Sequence, residues 1–394
     1  MVNERLALLR DYPFRRLGTL LSGLRAPLGK EELIMSIGEP QHPYPDFVAE
    51  VLRTNAALWG KYPPTLGTKE LRLAISDWLI RRYKLPDNMI DSERNILPVA
   101  GTREALFSIA SMATPQDDRK YKPTILMPDP FYQIYSGAAI MAGAEPVYLP
   151  ASKETGVLPS FSEVPEDLLN RASLAYVCSP SNPQGAAATI DQFERYIETA
   201  QTHDFILAVD ECYSEIYYAG PLTGVLQVCK QRDGKLKNIL AFHSLSKRSN
   251  VPGLRSGFVA GDARLIEAFG QLRQYTGNAS PGPILAAATA LWKDEQHVHA
   301  NRKLYQEKFD DAETLLGEHP SFLKPDGGFY LWLNVGDGEA FTQKLWCEAG
   351  VKVMPGKYLS RDTEDASSHE YIRVALVHNR DQSAEGLRRL ATLL

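Results

Sequence analysis

The chain contains 394 residues, of which 44% are hydrophobic and 23% are charged, and its formal net charge is −5 at pH 7. This length fits one large folded domain together with a smaller one, and the balance of apolar and charged residues argues against a disordered chain. The lack of a basic excess argues against proteins that bind nucleic acid or anionic membrane surfaces.

The cysteines and the N-terminus indicate the cellular compartment. Cys178, Cys212, Cys229 and Cys347 are far apart and form no CxxC pair, so neither a zinc site nor a disulfide framework is expected. The N-terminal residues lack the apolar core of a signal peptide, and no apolar run reaches the roughly 18 residues that a membrane span needs. We therefore predict a cytoplasmic protein with reduced thiols and no membrane segment.

In chain order, the first 50 residues are rich in proline and turn residues, and apolar runs then alternate with helical patterns. Short apolar or β-branched runs predict buried strands at 95–99, 124–127, 146–149, 174–178, 205–209, 239–242 and 257–260. Helical patterns lie between several of these runs, at 104–112, 132–142 and 190–202. This alternation predicts an α/β fold in which helices flank a mainly parallel sheet.

The pattern changes near residue 283. It predicts one long amphipathic helix over 284–316, followed by strands within 329–333 and 371–376. We predict that residues 51–283 form a large domain, and that residues 1–50 and 284–394 together form a smaller, discontinuous α+β domain. His297 and His299 would face apart on the predicted helix, so we expect solvated side chains rather than a metal site.

Polar residues follow several predicted strands, and ligands bind beyond the carboxyl ends of parallel strands. Gly101 and Thr102 open a helix whose free NH groups can hold a phosphate, although an ordinary threonine N-cap has the same pattern. Asn182 lies among two prolines and a glycine, which either aim its amide or form a plain turn. Asp210 follows a strand and can pair with a cationic ring nitrogen or cap the next helix.

Lys247 carries the strongest chemical indication. Burial lowers the pKa of a lysine and yields the neutral amine that attacks carbonyl groups, as in a Schiff base. Ser244, Ser246, Arg248 and Arg255 flank it and favour a nearby phosphate, although a solvated basic loop has a similar composition. A phosphate-binding helix start, an aimed amide, a strand-end acid and this lysine together indicate pyridoxal 5′-phosphate.

These motifs resemble those of the fold-type I pyridoxal-phosphate enzymes of the class I/II aminotransferase family over essentially the whole chain. The resemblance rests on the segments 37–40, 100–106, 129–132, 244–247 and 253–257. It implies a large domain with a mainly parallel sheet, a smaller α+β domain, and a homodimer with shared active sites.

The resemblance also implies residue roles. Lys247, Asp210 and Tyr213 would be catalytic, with Asp210 at the ring nitrogen and Asn182 and Tyr213 at the ring 3-oxygen. The other implied cofactor ligands are Ser244 and Arg255 at the phosphate, Gly101, Thr102 and Arg103 at the helix start, Tyr132 stacked on the ring, and Tyr62 reaching the phosphate of the neighbouring subunit. Arg373, Gly38 and Asn182 would bind the substrate, with Arg373 on its α-carboxylate.

Within the family, residues 242–258 and 11–14 most resemble bacterial members that transfer an amino group between N-succinyl-LL-2,6-diaminopimelate and 2-oxoglutarate in lysine biosynthesis, by a ping-pong mechanism. Arg25, Lys30 and Arg103 are candidates for a distal carboxylate contact because they lie in segments near the expected site, although a surface cation is the alternative interpretation of each. Aspartate, alanine, aromatic and acetylornithine aminotransferases remain alternatives, because the shared motifs serve them all. A pyridoxal-phosphate β-lyase and a noncatalytic pyridoxal-phosphate-binding regulator are the further alternatives.

Overall fold

The structure is a computed structural model that describes residues 2–116, 121–151, 157–361 and 367–394. Its α-helices are α1 Pro13–Leu20, α2 Phe47–Thr54, α3 Lys69–Tyr83, α4 Thr102–Ala113, α5 Gln133–Ala142, α6 Glu166–Leu169, α7 Ile190–Thr202, α8 Val225–Gln231, α9 Leu245–Arg248, α10 Ala263–Thr276, α11 Gly282–Lys293, α12 Gln296–Leu316, α13 Gly338–Ala349 and α14 Arg380–Ala391. Its strands are β1 Leu33–Ile34, β2 Ile96–Val99, β3 Thr124–Asp129, β4 Glu145–Pro150, β5 Ala172–Cys178, β6 Ile206–Asp210, β7 Ile239–Ser244, β8 Gly257–Gly261, β9 Tyr330–Asn334, β10 Val351–Lys352, β11 Met354–Pro355 and β12 Tyr371–Ala375.

A seven-stranded sheet with the order β2-β8-β7-β6-β5-β3-β4 forms the centre of the fold. In this sheet β8 runs antiparallel to both β2 and β7, and the pairs among the other strands are parallel. Cys178 at the end of β5 pairs with Asp210 at the end of β6, and Asp210 pairs with Phe242 near the end of β7. The predicted α/β fold with a mainly parallel sheet is therefore confirmed, and three strand ends meet at one edge.

The helix predicted over 190–202 is confirmed as α7, and a capping box stabilises its N-terminus. The Thr189 hydroxyl accepts a hydrogen bond from the Gln192 NH at 3.2 Å, and the Gln192 side chain accepts one from the Thr189 NH at 3.0 Å. This capping box satisfies two NH groups that the helix itself leaves unpaired, and its pattern is local in sequence.

The single long helix predicted over 284–316 is wrong, because the structure has α11 and α12 with a break at Asp294 and Glu295. Arg248 donates to the carbonyls of Leu291 at 2.8 Å and Asp294 at 3.2 Å, which replaces the helical partners of those groups. The Asp294 carboxylate accepts from the His297 NH at 3.1 Å and starts α12.

The solvated environment predicted for His297 is also wrong. Its ring nitrogens lie 2.5 Å from the Asp294 carboxylate and 2.8 Å from the Ser249 hydroxyl, whereas His299 is exposed as expected. Within the described ranges, no group of histidine, cysteine or acidic side chains has the arrangement of a metal site.

The N-terminal segment pairs with the C-terminal part of the chain. Strand β1 runs parallel to β10, a second sheet has the antiparallel order β11-β12-β9, and Leu33 and Met35 share a hydrophobic core with these C-terminal elements. Helix α11, in contrast, packs against α2 and α3 in a core with the large sheet. The division into residues 51–283 and residues 1–50 with 284–394 stays a prediction.

A membrane-spanning helix would need about 20 largely apolar residues. None of the helices in the described part of the chain has that length and apolar character.

Candidate functional site

A cavity of about 490 Å³ opens at the carboxyl edge of the large sheet. The candidates from the sequence that line it are Gly38, Thr102, Arg103, Tyr132, Asn182, Asp210, Tyr213, Ser244, Lys247, Arg255 and Arg373. Residues that follow strands of the parallel sheet thus meet at one site, as expected for the carboxyl ends of such strands, and Gly38 and Arg373 join them from the two ends of the chain.

Lys247 enters the cavity from the short helix α9, which begins directly after β7. The Ser244 hydroxyl accepts a hydrogen bond from the Ser246 NH at 3.1 Å and starts this helix. Lys247 Nζ donates to the Gly38 carbonyl at 2.6 Å. Burial is the main cause that lowers the pKa of the Lys247 ammonium from 10.5 to about 8, and the nearby positive charge of Arg373 acts in the same direction. Near neutral pH, a usable fraction of this amine is therefore unprotonated.

Asp210 ends β6 with its carboxylate at the base of the cavity, and only 3% of the residue is exposed. Its oxygens accept hydrogen bonds from the Tyr135 hydroxyl at 2.9 Å and the Cys212 NH at 3.2 Å. Burial raises the pKa of Asp210, and these hydrogen bonds oppose the increase. A buried carboxylate of this kind favours a cationic partner in the cavity.

Sequence reasoning missed Tyr135. Its position three residues after Tyr132 at the start of α5 was visible, but nothing local connects it to Asp210, 75 residues later. Only the packing of α5 against the sheet brings the hydroxyl to the carboxylate.

One end of the cavity can hold an anion. Gly101 is the N-cap of α4 with a φ of 90° and provides no side-chain cap, and Thr102 and Arg103 of the first turn line the cavity, so the N-terminal end of this helix borders it. A Cβ at Gly101 would overlap the guanidinium of Arg255, whose Nη1 donates to the Pro252 carbonyl at 2.8 Å. The Ser244 and Thr102 hydroxyls complete this cradle, in which only glycine fits at position 101.

Tyr132 lies above the cavity and is held by Arg103. Arg103 Nε donates to the Tyr132 hydroxyl at 2.7 Å, and Nη2 donates to the Tyr12 hydroxyl at 3.2 Å. Tyr12, immediately before α1, also lines the cavity. A cation fixed between two aromatic side chains therefore stands at the entrance.

Arg373 projects from β12 at the opposite side of the cavity, and 5% of the residue is exposed. Its Nη1 donates to the Asn182 side-chain oxygen at 3.0 Å and its Nη2 to the Ser36 carbonyl at 2.8 Å. Its buried Nε has no hydrogen-bond partner among the residues that the structure describes, and its guanidinium lies 4.4 Å from the centre of the Tyr330 ring. A buried donor without a partner is a natural contact for a ligand carboxylate.

Tyr213 and Gly38 border the same region. The Tyr213 and Tyr330 hydroxyls lie 3.3 Å apart, and burial raises the pKa of Tyr213 well above its usual value. A Cβ at Gly38 would overlap the Tyr330 hydroxyl, so only glycine allows this approach of the backbone.

Gly101 contacts the cavity only through the position of Arg255 and is not itself a lining residue, and three further candidates lie away from the cavity. Tyr62 is fully exposed, Arg25 is exposed, and Lys30 donates to the Glu348 carbonyl at 3.1 Å. Of the three cations predicted near a distal carboxylate, Arg103 alone lines the cavity.

The arrangement can hold an elongated ligand. It offers an anion cradle at one end, a carboxylate for a cationic ring nitrogen at the base, an amine for a carbonyl carbon, and an arginine for a carboxylate at the other end. Such a set favours chemistry between amines and carbonyl compounds.

Comparisons with known proteins give consistent results. The model of the family aminotransferase class I and II matches residues 30–390. An LL-diaminopimelate aminotransferase from Syntrophobacter fumaroxidans is 30% identical, with 99% of this chain and 98% of that protein covered. An aminotransferase from Neisseria meningitidis is 41% identical, covered in full on both chains, with a TM-score of 0.94. An aminotransferase from Helicobacter pylori is 34% identical, with 97% of this chain and 98% of that one covered and a TM-score of 0.89.

Proposed function

Because the chain belongs to the class I and II aminotransferases, which depend on pyridoxal phosphate, we propose that it transfers an amino group between N-succinyl-LL-2,6-diaminopimelate and 2-oxoglutarate. The observation that carries the proposal is the convergence of Lys247, Asp210 and Arg373 on one cavity. The resemblance of residues 11–14 and 242–258 supports the choice of amine.

The residues present fit the cofactor. The cradle at Gly101 is shaped so that a Cβ would fill it, and it combines a helix N-terminus with the Arg255 cation, as a phosphate requires. Ser244 and Thr102 would add hydroxyl contacts. Asp210 would pair with the ring nitrogen, and its burial strengthens that ion pair.

The remaining cofactor contacts come from the cavity walls. Tyr132 would stack on the ring, Asn182 and Tyr213 would donate to its 3-oxygen, and Lys247 would hold its aldehyde carbon. When bound, pyridoxal phosphate supplies an electron sink for the bond electrons that an amino-acid α-carbon loses on deprotonation.

Lys247 is the base that this chain provides for the α-proton. With a pKa of about 8, its amine accepts a proton and returns it near neutral pH without a large energetic penalty. The Gly38 carbonyl, 2.6 Å from Nζ, orients the amine between transfers. Both half-reactions would use this one amine in one cavity, so ping-pong kinetics are expected.

Arg373 would bind the substrate α-carboxylate. Two of its donors are occupied by Asn182 and Ser36, which hold the guanidinium plane in place, and its Nε has no partner in the described part of the chain. A guanidinium held in this way can offer two parallel hydrogen bonds to a carboxylate.

The entrance supports an amine with an acidic distal tail. Arg103, held by Tyr12 and Tyr132, is a cation that would attract the terminal carboxylate of a succinyl group. An acylated distal nitrogen carries no charge and would not be repelled by this cation.

LL-diaminopimelate without the succinyl group is a second candidate amine. The relative from Syntrophobacter fumaroxidans is named an LL-diaminopimelate aminotransferase, and the exposed Glu39 on the cavity wall would attract the free distal ammonium of that compound. The two candidates therefore predict opposite contributions from Arg103 and Glu39.

Initial rates of glutamate formation from 2-oxoglutarate, measured with each amine, test the proposal. We expect kcat/KM to be higher for N-succinyl-LL-2,6-diaminopimelate. Replacing Arg103 by glutamine removes a charged hydrogen-bond partner and should lower kcat/KM for this amine about tenfold or more. Glu39→Gln should have little effect on it.

Lys30→Gln, which removes an exposed cation outside the cavity, is the matched control and should leave both rates unchanged. Preference for LL-diaminopimelate, together with a loss in Glu39→Gln, would select the second candidate. Release of ammonia and an oxo acid from either amine without 2-oxoglutarate would instead indicate a lyase and would reject both candidate reactions.

We further propose that the protein is a homodimer and that it acts in the cytoplasm. Tyr62, fully exposed in this chain, would reach the phosphate of the neighbouring subunit in a homodimer with shared active sites. Sedimentation velocity on the purified protein tests the dimer, and a monomer with full activity would contradict it. Cytoplasmic lysine and diaminopimelate biosynthesis is the setting that fits these substrates.

A further inference from the structure

Helix α9, which carries Lys247, has only four residues and therefore cannot satisfy the carbonyl groups at its C-terminal end by itself. The side-chain amide of Asn301 from α12 provides the missing donor. Asn301 Nδ2 lies 3.3 Å from the Lys247 carbonyl and 3.4 Å from the Arg248 carbonyl. Asn301 is 4% exposed, so water does not compete strongly for these contacts.

The oxygen of the same amide has two further partners. It lies 2.8 Å from His42 Nδ1 and 2.9 Å from Asn250 Nδ2. Because this oxygen can only accept, His42 must carry its proton on Nδ1. Burial and the positive charge of Lys308 lower the pKa of His42 to about 4, which keeps the ring neutral in this tautomer.

His42 belongs to residues 36–43, a segment that contacts both cations of the site. Its Ser36 carbonyl accepts from Arg373 at 2.8 Å, and its Gly38 carbonyl accepts from Lys247 Nζ at 2.6 Å. The ring of His42 packs against Tyr305 of α12 at a centroid distance of 4.6 Å. His42 thus attaches the segment to α12, and it lies four residues after Gly38, whose carbonyl accepts from the Lys247 amine.

We infer that Asn301 and His42 are positioning residues that hold Lys247 at both ends, with Asn301 fixing its main chain and His42 fixing the segment whose Gly38 carbonyl holds its amine. One amide thereby sets the distance between the helix that carries the amine and the carbonyl that orients it. The catalytic importance of this distance rests on the proposed function of Lys247, whereas the positioning itself can be tested without substrate.

The decisive measurement is the pH dependence of Lys247 acylation in cofactor-free protein, with limiting acetic anhydride as the probe and peptide mass spectrometry as the readout. We expect a midpoint near pH 8 in the natural sequence. In Asn301→Leu and His42→Leu the segment over the amine is released and water reaches Nζ. Because burial is the largest cause of the lowered pKa, this gain of water outweighs the lost hydrogen bond to Gly38, and the midpoint should rise by about one pH unit or more.

A conservative variant separates positioning from packing. The side-chain NH₂ of asparagine can replace the Nδ1–H of histidine, so His42→Asn should restore a midpoint near that of the natural sequence. His299→Leu makes the same substitution on the exposed side of α12. It is the matched control and should leave the midpoint of Lys247 acylation unchanged. In the loaded enzyme, His42→Leu should lower kcat about tenfold or more, because the amine is misplaced, and it should also raise KM, because the same segment holds Arg373 through the Ser36 carbonyl.

An unchanged midpoint in His42→Leu and Asn301→Leu, with only a lower unfolding temperature, would overturn the inference, as would a His42→Asn variant that behaves like His42→Leu. If Asn301→Leu does not fold, the acylation midpoints of His42→Leu and His42→Asn are sufficient to test the inference. Since acylation involves neither amine substrate, a wrong substrate proposal would appear in the glutamate-formation rates and leave these midpoints as expected.

Discussion

Replacement of Lys247 by methionine should stabilise the cofactor-free protein, and the stabilisation should shrink as the pH rises. In the folded protein, burial lowers the pKa of Lys247 from 10.5 to about 8. Between these values the unfolded chain binds more protons than the folded one, so the stability of the natural protein rises with pH across this window. Below pH 8, the full cost of burying the charge is present.

The magnitude follows from this pKa difference at about 1.4 kcal/mol per unit. Burial of the Lys247 charge lowers the free energy of unfolding by about 3.4 kcal/mol at pH 7 and by about 1.4 kcal/mol at pH 9.5. The lost hydrogen bond to Gly38 and the new methionine contacts also change the free energy of unfolding, but each does so by the same amount at both pH values. The difference in free energy of unfolding between variant and natural protein should therefore change by about 2 kcal/mol between pH 7 and pH 9.5.

Urea unfolding at one fixed protein concentration, followed by tryptophan fluorescence at both pH values, measures this change. Lys308, whose pKa burial lowers to about 7, is present in both proteins and cancels in the comparison. Lys303→Met, the same substitution at an exposed site, is the control. A free-energy difference between Lys247→Met and the natural protein that is the same at pH 7 and pH 9.5 would refute the reasoning.

Three further changes test other parts of the site. Tyr135→Phe removes a hydrogen bond to the buried Asp210 carboxylate that is worth about 2 kcal/mol, so Asp210 should protonate at higher pH. Cofactor affinity, measured by equilibrium dialysis, should therefore fall tenfold or more, and an unchanged affinity would contradict this reasoning. Gly101→Ala places a Cβ against Arg255 and should weaken binding of inorganic phosphate to the cofactor-free protein in calorimetry, and equal binding would rule out the cradle. Arg373→Lys loses the planar pair of donors and should raise KM for 2-oxoglutarate about tenfold or more, whereas a change in kcat alone would place the arginine elsewhere.

Much of the fold was visible in local patterns. The strand runs of the large sheet were found because buried parallel strands are continuous apolar runs, and α7 was found from its helical pattern between two of those runs. The break between α11 and α12 was missed because Arg248, far away in the sequence, satisfies the carbonyls there. Amphipathic periodicity continues across such a break and does not report it.

The sequence by itself determined the chemistry of the individual groups. A lysine directly after a strand with serines beside it, an acid at a strand end and a glycine at a helix start are local features, because strand ends and helix starts are set by neighbouring residues. Together these features indicated the cofactor, and the resemblance of the segments that carry them indicated the family, without any knowledge of distances.

Only the tertiary structure decided which groups touch. The contact of Tyr135 with Asp210 and the attachment of Asn301 to the Lys247 carbonyl join residues 75 and 54 positions apart. Such contacts depend on how helices pack against the sheet and against each other, and periodicity within one element carries no information about that packing. The lowered pKa of Lys247 has the same origin, since burial is a property of the assembled fold.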